Sequence, residues 1–401
     1  MDTKTNTHIL SVNGGSSSIK VALFKVAQEP VRLLEAEVTD IGEPQAIFSV
    51  NHPDKNLSSS NPTVAADHSA AVKTLVDWLK ERGTSDTVVA IGHRIVFGGP
   101  KHYESQLVTA ELLEDLREMA SFDPQHSKIE VELIETFQKL YPKARQVTCF
   151  DTAFHHDLPV VARLLPIPRH YENLGVRRYG FHGLSYTFLM RELRRKHEPG
   201  AADGRLVLAH LGNGASLAAV HNGKSIDTTM GLTPAGGLPM GTRSGDLDPG
   251  LPMYLSRSEN LSTEQFNHMA NFESGLLGIS GTTPDMQQLL EAQDSDSRAK
   301  DAVDLFCYQA KKAIGALAAA MGGLDGLAFA GGMGENAPKI RAKICSGLQF
   351  LGLELDEVRN SKNSDVISAD HSRVAVRVVP TDESSTIAHD TWQLINGDKN
   401  R

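Results

Sequence analysis

Four residues have the side chains and neighbours to bind and neutralise an anion: Arg94, Asp151, His182 and Arg243. Arg94 closes the apolar run Val88–Ile95 just before the pair Gly98-Gly99. Its forked donors fit a carboxylate or a phosphate, and a surface salt bridge is the plainer alternative. Asp151 follows the run Gln146-Val147-Thr148-Cys149-Phe150. A carboxylate at the carboxyl end of a buried strand is where open α/β sheets place their chemistry, although an Asp capping the next turn reads the same way. His182 sits in Arg177-Arg178-Tyr179-Gly180-Phe181-His182-Gly183, where the glycines leave its ring approachable. A structural histidine would fit there equally well. Arg243 lies in Met240–Pro249, a Gly-rich loop without apolar period. His155 and His156 are adjacent, so they share no helical face and make no metal site.

Two turns supply a setting for such groups. Val12-Asn13-Gly14-Gly15-Ser16-Ser17-Ser18-Ile19-Lys20 reads as strand, polar turn, strand. Glycine lets a ligand approach the backbone, Ser16 and Ser18 add donors, and Lys20 adds a charge, which suits a phosphate chain. Alone, the stretch is equally an ordinary Gly/Ser hairpin, and it lacks the Walker spacing. A second copy, His210-Leu211-Gly212-Asn213-Gly214-Ala215-Ser216, lies between apolar runs in the other half of the chain. The pair implies a duplicated fold with phosphates held between two lobes. A third Gly-rich stretch, Gly331-Gly332-Met333-Gly334-Glu335-Asn336, is a turn between a strand and a helix opened by Ala337-Pro338, and suits a nucleotide's sugar or phosphate.

The elements that must position these residues alternate between strand and helix. Helices are expected over 70–80, 111–120, 129–140, 186–197, 299–321 and 384–394, the last with Ser384 or Ser385 near its cap. Further strand is expected over 35–50, 88–95, 146–150, 327–330 and 374–379. His52–Asp67 and Ser274–Asp285 read as loops. At 401 residues the chain has room for two full cores. Its formal net charge of −9, without a basic block, leaves no electrostatic footprint for nucleic acid. No apolar run approaches membrane-spanning length. Cys149, Cys307 and Cys345 lack metal-ligand spacing and read as reduced core cysteines, and a cytoplasmic address is expected.

Taken in order, seven stretches resemble acetate kinase: Asn13–Lys20, Gly92-His93-Arg94, Phe150–His155, Tyr179–Gly183, His210–Ser216, Met240–Asp246 and Gly331–Asn336. The resemblance implies an α/β, two-lobed, duplicated actin-like fold with a nucleotide cleft between lobes. Residues 1–152 with 385–401 would form the first lobe, and 153–384 the second, carrying the dimer interface of a homodimer. It implies transfer of the γ-phosphoryl group of ATP, with Mg²⁺ (Mn²⁺ as an alternative), to a short carboxylate. By position, Asn13 and Glu383 would hold the metal. Lys20, Ser16, Ser18 and His210, Leu211, Gly212, Asn213 and Gly214 would contact the phosphates. Asp285, Met286, Gln287 and Gly332, Met333, Gly334, Glu335 and Asn336 would contact the nucleoside. Arg94 would bind the acyl carboxylate in a small pocket walled by Val96, Phe181 and Pro234, with Gln125 beside it. Asp151 would be the acid/base or metal-orienting residue, and His182 and Arg243 would stabilise the transition state. An acetate oxygen is already an anionic nucleophile, so the demand is for in-line positioning and charge neutralisation rather than for a strong base.

The chain departs from the family's pattern at four places. Pro124-Gln125-His126-Ser127-Lys128 stands where Pro-Leu-His-Asn-Pro is usual, so the acyl pocket gains an amide. Gln125 is expected to face water at the pocket mouth, with a hydrogen bond to a hydroxylated acid such as glycolate as the alternative. Phe97 replaces His, Gln287 replaces Arg near the nucleoside, and Met333 replaces an aliphatic residue. The rival readings are a propionate or other short-acid kinase, a carbohydrate kinase, and an ATP-gated interaction protein of the same fold.

Overall fold

The computed structural model describes residues 7–397, apart from 16, 28, 44, 53, 55–56, 84–86, 120–126 and 197–199. Ser16 and Gln125 therefore lie outside the described residues. The chain forms two compact units, Met1–Ala153 with Asp382–Arg401, and Phe154–Thr381. The return to the first unit comes at Asp382 rather than at 385, so Glu383 belongs to the first unit rather than the second.

The first unit holds β1 (His8–Gly14), β2 (Ile19–Lys25), β3 (Val31–Thr39), β4 (Ala46–Asn51), β5 (Ser59–Thr63), β6 (Val88–Ile95), β7 (Gln106–Leu107) and β8 (Arg145–Phe150). They make one sheet in the order β5-β4-β3-β2-β1-β6-β8-β7. Strands β1, β6 and β8 run parallel, while β1 to β5 form an antiparallel meander. Strands β1 and β2 are almost wholly buried apolar runs, as a central hairpin covered on both faces requires. Helices His68–Glu81 and Ser127–Leu140 bury Leu75, Val76, Leu79, Leu133 and Phe137 in the same core.

The second unit holds β9 (Leu206–Leu211), β10 (Ala215–His221), β11 (Lys224–Thr228), β12 (Gly326–Ala330) and β13 (Ala375–Val378), in the order β11-β10-β9-β12-β13. Its β9 to β11 are antiparallel, and β9, β12 and β13 are parallel. This order and these directions repeat β3-β2-β1-β6-β8 of the first unit. The duplicated α/β fold is thus present strand for strand.

Several local expectations need correction. Residues 52–67 are not all loop: Ser59–Thr63 pairs with β4 as an edge strand whose residues are nearly all exposed, so main-chain bonds and not an apolar face hold it. Gly275–Ser280 is helical within the stretch expected to be a loop. Gly331–Asn336 is itself a helix of six residues, not a turn before one. The final helix runs Glu383–Gly397 and is capped by Asp382, whose Oδ1 accepts from Ser385 N–H at 2.9 Å, so both serines lie in its first turn near the cap. Ser127 is buried although its segment reads as solvent-facing, while Lys128 is exposed. Cys149, Cys307 and Cys345 are buried and unbridged. Among the described residues no helix is long and apolar enough to cross a membrane.

Candidate active site

In the first unit the carboxyl ends of the parallel strands β1, β6 and β8 present Asn13, Arg94 and Asp151, and the first turn of the final helix adds Glu383. Arg94 Nε and Nη2 both donate to Asp151 Oδ2, at 2.9 and 2.6 Å. Its Nη1 donates to Asn13 Oδ1 at 3.0 Å, and Asn13 Nδ2 donates to Glu383 Oε2 at 3.0 Å. Glu383 Oε2 lies 3.9 Å from Arg94 Nε. Asp151 is fully buried and the Arg94 side chain is 18 % exposed. Burial works against the Arg94 charge, but Asp151 and then Glu383 outweigh it and hold the guanidinium protonated. Three donors are committed to these partners, so the fork is fixed in place before any ligand arrives.

Lys20 stands directly across the ladder from Asn13, which puts both side chains on one face. Its ammonium lies 3.6 Å from Glu35 and 3.8 Å from Glu37. Ser18 closes the turn through its carbonyl, which accepts from Gly15 N–H at 2.8 Å. Val96 is buried, and its N–H donates to Glu130 Oε1 at 2.8 Å. Glu130 is a buried carboxylate that the sequence did not single out, although it interrupts the apolar face of its helix.

In the second unit His182 has a left-handed backbone (φ 61°), a conformation that costs a non-glycine residue free energy and persists only where its surroundings impose it. Its ring stacks on His210 with centroids 4.2 Å apart. Gly214 lies against both His182 and Arg243: a side-chain carbon there would stand 3.1 Å from His182 Nε2 and 3.7 Å from Arg243 Nη1. Arg243 Nη1 donates to the Pro234 carbonyl at 3.0 Å. Its loop is stapled by main-chain bonds from Leu276 to Met240, Leu277 to Gly241 and Ser274 to Thr242, at 2.8, 3.0 and 2.9 Å. Phe181 is buried. Arg178, the second cation of its turn, instead spends Nη1 on the carbonyls of Thr228, Thr229 and Met230 and acts as a brace.

A cavity of about 830 Å³ opens between the second hairpin and the Gly331–Asn336 helix. Of the expected nucleotide residues, Gly212, Asn213, Asp285, Met286, Gln287, Gly332, Met333 and Asn336 line it. His210, Leu211, Gly214, Gly334 and Glu335 do not. Glu335 turns inward, its Oε1 accepting from Gly331 N–H at 2.9 Å and Thr381 N–H at 3.0 Å, so it braces the helix. Asp285 caps the helix Met286–Ala292 through Gln287 and Gln288 N–H. Sequence reasoning missed Leu290, Glu291, Asp294 and Lys339, which line the same cavity. The spacing of Leu290 and Glu291 after Asp285 on the helix Met286–Ala292 was the available signal. Gln287 Nε2 donates to Glu291 Oε1 at 3.2 Å.

The model of the acetokinase family matches residues 8–389. The chain belongs to the acetokinase family. An acetate kinase of Rhodopseudomonas palustris is 40% identical over 394 residues, covering 97% of this chain and 98% of its own. A propionate kinase of Citrobacter rodentium is also 40% identical, over 391 residues and 96% of each chain. The crystal structure of Porphyromonas gingivalis acetate kinase superposes with a TM-score of 0.88 at 36% identity, covering 97% of this chain and all of that one. Membership of the acetokinase family makes this chain an enzyme with ATP as co-substrate, of the α/β fold that the sequence led one to expect. The expected activity, phosphoryl transfer to acetate, is the one this membership carries.

Proposed function

We propose that the chain phosphorylates acetate reversibly by direct in-line transfer, an acetate oxygen forming the new P–O bond as the bond from the γ-phosphorus to the ADP oxygen breaks. No proton has to move. The observation that supports this best is the Asn13–Arg94–Asp151–Glu383 cluster, because a protein that merely clamps ATP has no use for a pre-oriented carboxylate-binding fork. Arg94 binds the acyl carboxylate, with Val96 as an apolar neighbour in its own unit. Asp151 holds the fork. His182 and Arg243 face Gly214 and neutralise charge that spreads over the phosphoryl oxygens. Gly212 and Asn213 meet the phosphates, Asp285 to Gln287, Gly332, Met333 and Asn336 receive the nucleoside, and Lys20 exchanges its carboxylate partners for phosphate.

Asn13 and Glu383 offer an amide and a carboxylate oxygen, the hard donor class that Mg²⁺ takes when water and phosphate complete its shell. Bound there, Mg²⁺ would neutralise phosphate charge. Among the described residues no group of three His, Cys, Asp or Glu side chains forms a metal cage. We place the enzyme in the cytoplasm, as a homodimer joined through the second unit, where Leu247, Met253, Tyr254 and Phe272 are exposed. Sedimentation of the pure protein tests the dimer.

Equal identity to acetate and propionate kinases supports propionate as a second acceptor. A coupled assay with Mg-ATP across acetate, propionate, butyrate and glucose tests the reading. Acetate is expected to be turned over fastest and glucose not at all. Turnover of glucose alone would overturn it.

A further inference from the structure

The His182 ring is held from three sides. Its backbone is left-handed, its face lies on His210 with planes 24° apart, and its Nδ1 lies 2.9 Å from Ser216 Oγ. Ser216 Oγ is also 2.5 Å from the Tyr186 hydroxyl. Ser216 and Tyr186 are both fully buried. The other edge of the ring, Nε2, faces Gly214 in the turn of the second hairpin.

We propose that Tyr186 and Ser216 are positioning residues that fix His182 as the Nε2–H tautomer, so that a ring N–H donor faces the phosphate-binding turn. A serine hydroxyl has one hydrogen to give. The phenol of Tyr186 is the more acidic hydroxyl and the poorer acceptor, so it donates to Ser216 Oγ. Ser216 Oγ keeps one hydrogen of its own, and the proposed relay directs it to Nδ1, which then presents its lone pair and leaves the ring hydrogen on Nε2. Tyr186 and Ser216 come from different elements, the helix Gly183–Lys196 and β10, so the chain of hydroxyls also locks the His182 segment to the hairpin. His210 has a similar neighbourhood, Nδ1 at 2.8 Å from Ser185 Oγ and that oxygen at 2.7 Å from Thr381 Oγ1. Its two hydroxyls are both aliphatic, so no phenol sets the direction there. The inference rests on the proposed role of His182 as a donor to the transferring group.

The test is the ¹⁵N spectrum of the imidazoles in the full chain, with His182 picked out from the 16 histidines by the signal lost in His182→Asn. Wild-type His182 is expected to show a protonated Nε2 and a bare Nδ1. Ser216→Ala is expected to mix the tautomers and lower kcat about tenfold, with KM for ATP and acetate changed less than about twofold. Tyr186→Phe keeps the ring packing and is expected to move the same signal. A wild-type hydrogen on Nδ1, or a tautomer unmoved in both variants, overturns the proposal. Full kcat in His182→Asn would instead remove the role of His182 while leaving the wild-type spectrum to decide the relay.

Discussion

The two hairpins of this chain share a sequence pattern and a place in their sheets, yet they hold their surroundings by different physics. In the first, Asn13 ends a strand and points into a buried ionic cluster with Arg94, Asp151 and Glu383. Lys20, Glu35, Arg32 and Asp382 continue the charges along the neighbouring strands. In the second, Asn213 sits in the turn itself, lines a cavity and packs on Gly241, and the nearby side chains are joined by hydroxyls and imidazoles. Duplication therefore preserved the turn and the strand order, not the role of the matching residue. A buried ionic cluster fixes geometry through strong paired charges and breaks badly when one member is lost. A neutral network fixes donor direction, and loss of one partner leaves an unsatisfied group that costs about 1–3 kcal/mol.

Arg94→Ala should have the largest effect, because it strands the buried Asp151 carboxylate as well as removing the fork proposed to bind the acyl group. A stability loss of about 3–5 kcal/mol is expected, with a strongly raised KM for acetate in whatever remains folded. Urea denaturation and acetate titration check the two parts. A variant as stable as wild type would show that the cluster does not support the fold. Arg243→Ala, on the side of the neutral network, should leave the urea midpoint nearly unchanged and lower kcat by about 10²–10³. If only KM rose, Arg243 would be a ground-state binder.

Acid should act on both units alike. His93 in the first unit and His155 in the second are buried neutral rings, each pushed down to about 4, chiefly by burial. The unfolded chain takes up protons near 6.5 that the folded chain refuses until about 4. Each ring therefore contributes stability that is fully present above pH 6.5 and is lost as the pH falls towards 4, at about 1.4 kcal/mol per pH unit. Urea midpoints at pH 7 and pH 5 measure this. An unchanged midpoint in wild type, or an equal fall in His93→Asn, would remove His93 from the account.

What the sequence disclosed was whatever is local. The apolar runs around Asn13 and Gly212 read as strands, and the glycines and loop-end cations marked the candidate residues in each unit. Edge strand β5, Ser-Ser-Asn-Pro-Thr, was illegible because its order comes from main-chain pairing to β4. The ties that decide geometry were also hidden, because they join distant positions: Arg94 to Asp151, Glu335 to Thr381, Ser216 to Tyr186. Glu335 illustrates the cost. Its place in a Gly-rich motif marked it for the nucleoside, and only the fold shows that its carboxylate faces away from the cavity.

The smallest effects separate the hairpins most cleanly, at Gly14 and its counterpart Gly214. A side-chain carbon at Gly14 would stand 2.3 Å from Leu133 Cδ1, in the packed core beneath the first hairpin. Gly14→Ala must displace Leu133 and is expected to cost about 1–3 kcal/mol of stability. At Gly214 the same carbon would stand 3.1 Å from His182 Nε2, so the ring need give only a few tenths of an ångström. That shift is small for folding but falls on the atom proposed to face the transferring group. Misplacing a reacting geometry costs rate out of proportion to its cost in stability. Gly214→Ala is therefore expected to keep the wild-type urea midpoint and lose kcat by about tenfold, whereas the Gly14→Ala loss should lie mainly in the midpoint. Measuring midpoint and kcat for both variants gives a crossed pattern if the first glycine serves packing and the second serves the site. Equal losses of both quantities in the two variants would mean that the hairpins are built alike.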